Sequence, residues 1–272
     1  MKFIKKNLQL VIGAVLVVLV ISMAIFAPLF APYDPIEDTN LLNSLIPPGE
    51  NFILGTDIQG RDMLSRIIFG ARISLLIGIV SQLINTFIGT LLGLIAGLYG
   101  GKVDSFIMNL TNVMLSIPAL ILALAIMAVF GSNVINIFIA LGFTMWTHTC
   151  RVTRAQTLSI KEKEYVQAAV ASGASKIRMV VKHILPNIIS PIIVIATFGA
   201  ASAILMESSL SFLGVGVQPP TPTWGQMMSV GRDYIWTAPW LIIYPGIALI
   251  TIVLGLNLMG DGLRDLLDPH IK

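Results

Sequence analysis

Apolar residues in this chain form long runs separated by short polar segments, without the alternating pattern that is typical of strands. A helix needs roughly 20 mostly apolar residues to cross the hydrocarbon core of a bilayer, so runs of this length predict membrane-spanning helices. A membrane β-barrel would instead show alternating segments of about 10 residues. Six runs qualify: Leu8 to Ala31, Ile73 to Tyr99, Ser105 to Phe130, Val134 to Cys150, Ile188 to Leu213 and Pro239 to Gly260.

The basic residues predict how this bundle is oriented, because Lys and Arg accumulate in cytoplasmic loops. With the N-terminus inside, only four of the 17 Lys and Arg residues fall outside, namely Arg61, Arg66, Arg72 and Arg232. We therefore predict an all-α membrane protein with six transmembrane helices and both termini in the cytoplasm. Lys5 and Lys6 would also suit a cleaved signal peptide, but the following apolar run exceeds the 7–15 residues of such a signal and favours a retained helix.

The composition excludes several classes of protein. Of the 272 residues, 56% are hydrophobic and 11% charged, against averages of about 45–50% and about 25% in soluble domains. This argues against a soluble enzyme and against a disordered chain. Cys150 is the only cysteine, so the chain is no disulfide scaffold. The net charge of +3 does not indicate nucleic-acid binding, and the lipid bilayer is the first partner that we predict.

The sequence also lacks the usual residues of catalysis and energy transduction. The only Gly-Lys pair, at 101–102, does not continue into the Ser or Thr of a phosphate-binding loop. His148, His183 and His270 lie far apart, without the spacing of metal ligands. We therefore predict no catalytic residue, no metal and no cofactor bound by this chain. If it moves a solute uphill, another subunit supplies the energy.

Two segments outside the predicted helices are long enough to carry function. The outer loop runs from Pro32 to Arg72, and the inner loop runs from Arg151 to Pro186. We divide the chain into an N-terminal helix with the outer loop, residues 1–72, and a five-helix core, residues 73–272, which includes the inner loop.

Within the inner loop the sequence predicts a short helix with a small, smooth face. Tyr165, Ala168, Ala169 and Ser172 fall at i, i+3, i+4 and i+7, which places them on one side of a helix. Gly173 is suited to end this helix in a left-handed cap before a second helix begins near Ser175.

The inner loop resembles the cytoplasmic signature of the membrane subunit of bacterial ABC importers. That signature reads Glu-Ala-Ala, three residues, Gly, nine residues, Ile, one residue and Leu-Pro. Gln167 stands in place of the Glu and His183 in place of the Ile. The remaining positions match at the expected spacing: Ala168, Ala169, Gly173, Leu185 and Pro186.

The rest of the sequence narrows this resemblance. From about Leu54 to Pro269 it is similar to the C-type permease partner of the dipeptide, oligopeptide and nickel importers. The segments that carry the similarity are Leu54–Asp57, Gly60–Asp62, Gly70–Leu75, Glu207–Pro220, Trp224–Gly225, Gly231–Asp233 and Asn257–Asp265.

The resemblance implies a non-catalytic permease subunit of an ATP-driven importer in the cytoplasmic (inner) membrane. Its substrate would be di- or oligopeptides, or alternatively free or chelated nickel. Its partners would be a second, homologous permease chain, two ATPase subunits and an extracytoplasmic solute-binding protein, with no nucleic acid. The inner-loop residues that would couple it to the ATPases are Glu164, Tyr165, Gln167, Ala168, Ala169, Gly173, Leu185 and Pro186.

Other interpretations stay open at this point. The chain could be an ATP-independent carrier or channel, or a membrane-embedded enzyme, although no acid, base and nucleophile occur together. The inner-loop helix could rest on the bilayer surface, although such helices favour large apolar residues. Arg61, Asp62 and Glu207 could contact the substrate or the binding protein. Alternatively, Arg61 and Asp62 form a turn with a solvated ion pair, and Glu207 is a structural polar contact.

Overall fold

The computed structural model describes residues 7–267, so Lys5, Lys6, His270 and both termini lie outside the described residues. The described chain is almost entirely helical. A 3₁₀ turn lies at Leu41–Asn43 and another at Arg232–Tyr234, and a π-helical turn lies at Val180–Ile184. The α-helices are α1 (Leu8–Ile25), α2 (Ala27–Phe30), α3 (Met63–Tyr99), α4 (Gly101–Ser116), α5 (Ala119–Phe130), α6 (Val134–Lys161), α7 (Glu164–Ala171), α8 (Lys176–Met179), α9 (Leu185–Phe212), α10 (Trp224–Gly231) and α11 (Trp240–Leu267).

Four helical stretches within residues 7–267 are long and apolar enough to cross a membrane. They are α1, α3, α11 and the stretch Lys176–Phe212, which joins α8 and α9. A fifth span results if α4 and α5 count as one broken crossing. Length and composition do not mark α6 as a span, since its C-terminal half is polar and carries Arg151, Arg154 and Lys161. The all-α membrane architecture is thus confirmed.

The third predicted span is wrong as a continuous helix. The structure ends α4 at Ser116, starts α5 at Ala119, and bends the pair by 86°. Pro118 has no N–H to donate and disfavours helical geometry at the residue before it. Ile117 is accordingly extended, with φ −104° and ψ 125°.

Two helix boundaries differ from the hydrophobic pattern. The second predicted span begins at Met63 rather than Ile73, so our division at residue 72 falls inside α3. Asp62 sets this start, because its side chain accepts a hydrogen bond from the backbone N–H of Ser65 at 2.7 Å. The fourth predicted span ends at Cys150, but α6 continues to Lys161, so its last turns lie in the inner loop.

The long helices pack closely where glycines leave room for a neighbouring backbone. The spacing of Gly89, Gly93 and Gly97 on α3 predicts close packing, and the structure confirms it against α6. A Cβ at Gly89 would lie 2.7 Å from the carbonyl oxygen of Trp146, and one at Gly93 would lie 2.6 Å from that of Cys150. The helix α9 packs against both α3 and α11, and α1 packs against α11, which completes the bundle.

Candidate functional site

The inner loop folds into the short helix that its sequence predicts. Helix α7 begins after Lys163 and ends at Ala171, Ser172 is its C-cap, and Gly173 adopts the left-handed φ of +81°. The N–H of Gly173 donates to the carbonyl of Val170 at 2.9 Å, and that of Ala174 donates to Ala169 at 3.0 Å. These two bonds satisfy carbonyls at the helix end in a Schellman motif. The prediction that Gly173 ends the helix is confirmed.

One buried side chain fixes α7 to the bundle. Val166 is 0% exposed and belongs to a cluster with Ile160, Met179, Ile184 and Ile188. These partners come from the end of α6, from α8, from the π-helical turn that follows it and from the start of α9. The cluster therefore sets the direction in which the opposite side of α7 points.

The small face of α7 points away from this cluster. Tyr165, Ala168 and Ser172 are exposed, and Ala169 is half-buried. Glu164 is exposed in the first turn, where a carboxylate interacts favourably with the helix dipole. The structure thus gives the predicted coupling residues of α7 a common outward surface, while docking itself stays a prediction.

Both departures from the signature make contacts inside the loop. The side-chain N–H of Gln167 donates to the carbonyl of Lys161 at 2.7 Å. A carboxylate at this position has no N–H to donate, so the contact is particular to Gln. The ring of His183 lies 6.2 Å from that of Tyr165, centroid to centroid. Gln167 and His183 therefore help to hold α7 in place.

The Leu-Pro pair of the signature lies where the inner loop enters α9. Leu185 is half-buried and donates its N–H to the carbonyl of Val180, five residues earlier, as in a π-helical turn. Pro186 follows in the first turn of α9 and has no N–H of its own. This pair joins α8 and α9 into one continuous helical stretch.

Two lysines attach the inner loop to the end of α3. Lys161 donates from Nζ to the carbonyl of Leu98 at 3.0 Å. The ammonium of Lys176 lies 4.2 Å from the ring centroid of Tyr99, a cation–π contact. Cations are favourable at a helix C-terminus because the helix dipole is negative there. The inner loop therefore contacts α3 as well as continuing from α6 and into α9.

The inner loop also exposes apolar side chains that were not predicted from the sequence. Val170, Ile177 and Val181 are exposed, Ile177 to 78%. Exposed apolar patches mark contacts with other proteins or with the membrane, and Ile177 and Val181 lie at the start of the candidate span Lys176–Phe212. The available signal was the spacing of Ile177 and Val181, which stand four residues apart after the N-cap Ser175.

Towards the end of the outer loop a group of charged residues is buried, although others in this loop, such as Asp34 and Glu50, are exposed. Arg61 pairs with Asp57 at 2.8 Å, and Arg66 approaches the same carboxylate at 3.4 Å. All three side chains belong to residues at most 5% exposed. The alternative of a solvated Arg61–Asp62 pair is therefore wrong: Arg61 uses Asp57, and Asp62 caps α3.

Glu207 lies near the C-terminal end of α9 and is 0% exposed. The hydroxyls of Ser211 and Ser208 donate to its two carboxylate oxygens at 2.7 and 3.4 Å. The side chain of Thr223 also hydrogen-bonds to it. These contacts lie within the chain and favour the structural role over a place on the substrate pathway.

The start of α10 links Glu207 to the buried charges of the outer loop. Thr223 accepts the N–H of Gln226 at 3.2 Å, and the side-chain oxygen of Gln226 accepts from Arg66 at 3.4 Å. The structure thus connects the outer candidates Arg61 and Glu207 through Asp57, Arg66 and α10. The predicted coupling residues lie around the opposite end of α3.

The side chains that could bind a metal ion are dispersed in the part of the chain that the structure describes. Between residues 7 and 267, no three His, Cys, Asp or Glu side chains stand close enough together to hold a metal ion.

Two family models match this sequence. Residues 89–272 match the binding-protein-dependent transport system inner membrane component. Residues 2–48 match the N-terminal transmembrane domain of oligopeptide transport permease C.

Three curated relatives align along nearly the whole chain. The di/tripeptide transport system permease protein of Pseudomonas aeruginosa is 45% identical over 266 residues, covering 96% of this chain and 88% of the relative. The dipeptide transport system permease protein of Escherichia coli is 44% identical over 277 residues, covering 99% and 92%. The oligopeptide transport system permease protein of Bacillus subtilis is 38% identical over 268 residues, covering 98% and 88%.

A solved structure shares the fold. A chain of the MetNI methionine ABC transporter in an inward-facing conformation aligns with a TM-score of 0.62 and 19% identity. The alignment covers 76% of this chain and 98% of that chain.

Proposed function

The chain belongs to the binding-protein-dependent transport system inner membrane components, and on that premise we propose that it is the permease subunit of an ATP-driven importer of short peptides. It is a multi-pass protein of the cytoplasmic membrane. The observation that carries the substrate class is the 38–45% identity, over nearly the whole chain, to permeases named for dipeptide, tripeptide and oligopeptide transport.

The proposed importer contains this chain, a second homologous permease, two ATPase subunits and an extracytoplasmic solute-binding protein. ATP hydrolysis takes place on the ATPase subunits, and this chain contributes neither a catalytic residue nor a bound cofactor. The binding-protein-dependent character of the family supports the external partner. The inner loop, with its outward face and exposed apolar residues, supports an ATPase partner on the cytoplasmic side.

The proposed topology has six crossings and both termini in the cytoplasm. Helix α6 provides the fourth crossing with its apolar half, and α4 with α5 provides a broken third crossing. The distribution of the 17 Lys and Arg residues supports this orientation, because it places the inner loop on the cytoplasmic side.

In the proposed mechanism α7 docks into a groove of an ATPase subunit. ATP binding brings the two ATPases together, and the docked helices move the permease pair from an inward-open to an outward-open state. ATP then acts as a ligand that shifts a two-state equilibrium. The attachment of the inner loop to α3 by Lys161 and Lys176 supports this proposal, since docking forces would reach three helices at once.

The test is uptake of a labelled dipeptide and of labelled nickel in cells with and without this chain. Each uptake is measured with the ATP pool intact and after its depletion. We expect dipeptide uptake that requires both the chain and ATP. Uptake of nickel without uptake of the dipeptide would identify nickel as the substrate. Chain-dependent uptake that survives ATP depletion would identify the protein as a carrier or channel and not as part of an ATP-driven importer.

A further inference from the structure

A cleft of about 300 Å³ opens between α3, α6 and α9, and polar groups form part of its lining. Gln82 and Asn85, near the middle of the apolar helix α3, are each only 4% exposed. Polar side chains at this depth of a membrane protein are costly and are by default candidates for function. Within residues 7–267 no Asp, Glu, Lys or Arg lines the cleft. Its polar lining consists of Gln82, Asn85, His148, Thr149 and Ser202.

The side-chain amides of Gln82 and Asn85 hydrogen-bond to each other, and each has an N–H donor that these contacts do not use. Gln82 donates to the hydroxyl of Thr86 at 2.9 Å, and Asn85 donates to the side-chain oxygen of Gln82 at 2.9 Å. Thr149 of α6 donates to the side-chain oxygen of Asn85 at 3.1 Å. Each amide NH₂ carries two N–H donors and each amide oxygen accepts two bonds. These contacts use one N–H of each amide and leave the second.

The side-chain amide of Gln82 packs against Gly199 on α9, where a larger residue would leave no space for it. A Cβ at Gly199 would stand 2.5 Å from Cδ of Gln82, closer than Cβ contacts occur. The missing side chain therefore lets the amide of Gln82 reach the wall formed by α9. The neutral amides of α3 and the imidazole of His148 on α6 thus line the same cleft.

We propose that this cleft binds the main chain of a peptide on its way through the importer, an inference that rests on the proposed function. A peptide amide has one N–H donor and one carbonyl acceptor, and the cleft offers uncharged partners for both. Recognition through neutral groups does not depend on the charge of the peptide side chains. Such a contact suits an importer that carries peptides of different sequence.

The helices around the cleft are those to which the inner loop is attached. The inner loop continues directly into α6 and α9, and Lys161 and Lys176 fasten it to the end of α3. A movement of α7 would therefore change the separation of the three cleft walls. This connection would let the ATPase cycle tighten and release the peptide contact.

A second cleft on α9 has fewer polar side chains in its lining. It measures about 430 Å³ and is lined mainly by apolar side chains, among them Leu205, Phe212 and Leu249. Cores of permanent subunit interfaces are likewise apolar. Covering the spare amide donors of Gln82 and Asn85 with an apolar partner surface would leave buried polar groups unsatisfied. The polar cleft therefore fits a peptide better than the second permease.

The test places a charge in the cleft and measures which peptides pass. Ser202 is exposed at the rim, and its hydroxyl donates only to the carbonyl of Phe198 in its own helix, at 3.0 Å. The assembled importer with Ser202→Glu, Ser202→Lys or the neutral control Ser202→Gln is supplied with binding protein and ATP. The measured quantity is the ratio of labelled Ala-Lys uptake to labelled Ala-Glu uptake, relative to the wild type. Because the binding protein is the same throughout, its own preference cancels.

We expect Ser202→Glu to raise this ratio about fivefold and Ser202→Lys to lower it about fivefold, equivalent to about 1 kcal/mol. Ser202→Gln should leave it unchanged. Equal ratios in all three variants would overturn the inference, and so would loss of the second permease from the purified Ser202→Gln complex, which would make the cleft a contact between the two permeases. If the wild-type complex takes up neither peptide, the proposed function itself fails.

Discussion

The outer and inner loops differ in where their charged side chains lie. In the outer loop Asp57, Arg61 and Arg66 are buried, and both arginines pair with the carboxylate of Asp57. In the inner loop Glu164 is exposed, and so is the apolar side chain of Ile177. Soluble surfaces normally show charge outside and large apolar groups inside. The outer loop also leaves apolar side chains exposed, among them Leu42 and Ile53. The loops therefore differ in their charges: the outer loop pairs Asp57 with Arg61 and Arg66 within the chain, whereas α7 of the inner loop has an exposed face that we propose as the ATPase contact.

The largest expected effect comes from removing the central carboxylate of the outer loop. Asp57→Ala leaves Arg61 and Arg66 buried without their counter-charge, which costs about 3–5 kcal/mol when one partner of a buried pair is deleted. We expect a clearly lower melting temperature of the purified complex, measured by thermal unfolding in detergent.

The matched control is an ion pair that solvent reaches. Asp233→Ala removes the partner of Arg232 from a pair whose side chains are 56% and 71% exposed, and it should cost less than about 1 kcal/mol. Equal melting temperatures for the two variants would show that burial of the outer-loop charges contributes nothing to stability.

The sequence predicts the elements of both loops better than their burial. Apolar runs locate the spans, and the glycine after the small helical face predicts the left-handed cap at Gly173. The burial of Asp57 was not predictable, because charged residues are usually exposed and its surroundings come from distant segments. Arg66, for example, also donates to the carbonyl of Pro35 and to Gln226, 160 positions further along the chain.

Hydrophobicity also fails where a helix leaves the apolar region or breaks inside it. The apolar pattern of α6 ends near Cys150, but the helix continues to Lys161 because hydrogen bonding along the backbone does not require an apolar surface. Pro118 is a known helix breaker, yet the apolar residues on both sides conceal the change of direction that it causes. The polar cleft was missed because its groups come from three helices.

An intermediate effect is expected at the end of α7. Gly173 has a φ of +81°, and a Cβ at this position would meet no other atom within 4 Å, so Gly173→Val introduces backbone strain without a clash. The left-handed conformation costs a β-branched residue about 1–2 kcal/mol or more. We expect peptide uptake to fall sharply while the melting temperature of the complex and its membrane insertion stay close to the wild type.

Gly173→Asn separates backbone conformation from side-chain size, because Asn tolerates left-handed φ values. It should retain most of the uptake that Gly173→Val loses. Normal uptake by Gly173→Val would contradict a coupling role for the shape of α7.

The smallest effect is expected where the inner loop touches α3. Lys176→Ala removes the cation–π contact with Tyr99, worth about 0.5–1 kcal/mol at an exposed site. We expect about a two- to fivefold decrease in peptide transported per ATP hydrolysed, with the ATPases still bound. Lys176→Arg keeps a cation over the ring and should restore the ratio. An unchanged ratio in Lys176→Ala would show that α3 does not follow the inner loop.

The most direct test of the contrast between the loops is cross-linking in the assembled importer. Ala168→Cys places a thiol on the exposed face of α7, and Gln59→Cys places one in the outer loop, while the native Cys150 is buried and stays silent. A second cysteine is introduced into the facing groove of the ATPase, and a short bis-maleimide should then join that subunit to the chain with Ala168→Cys. The account predicts this product for Ala168→Cys and none for Gln59→Cys. A complex that binds ATPase but yields no cross-link from Ala168→Cys would contradict it.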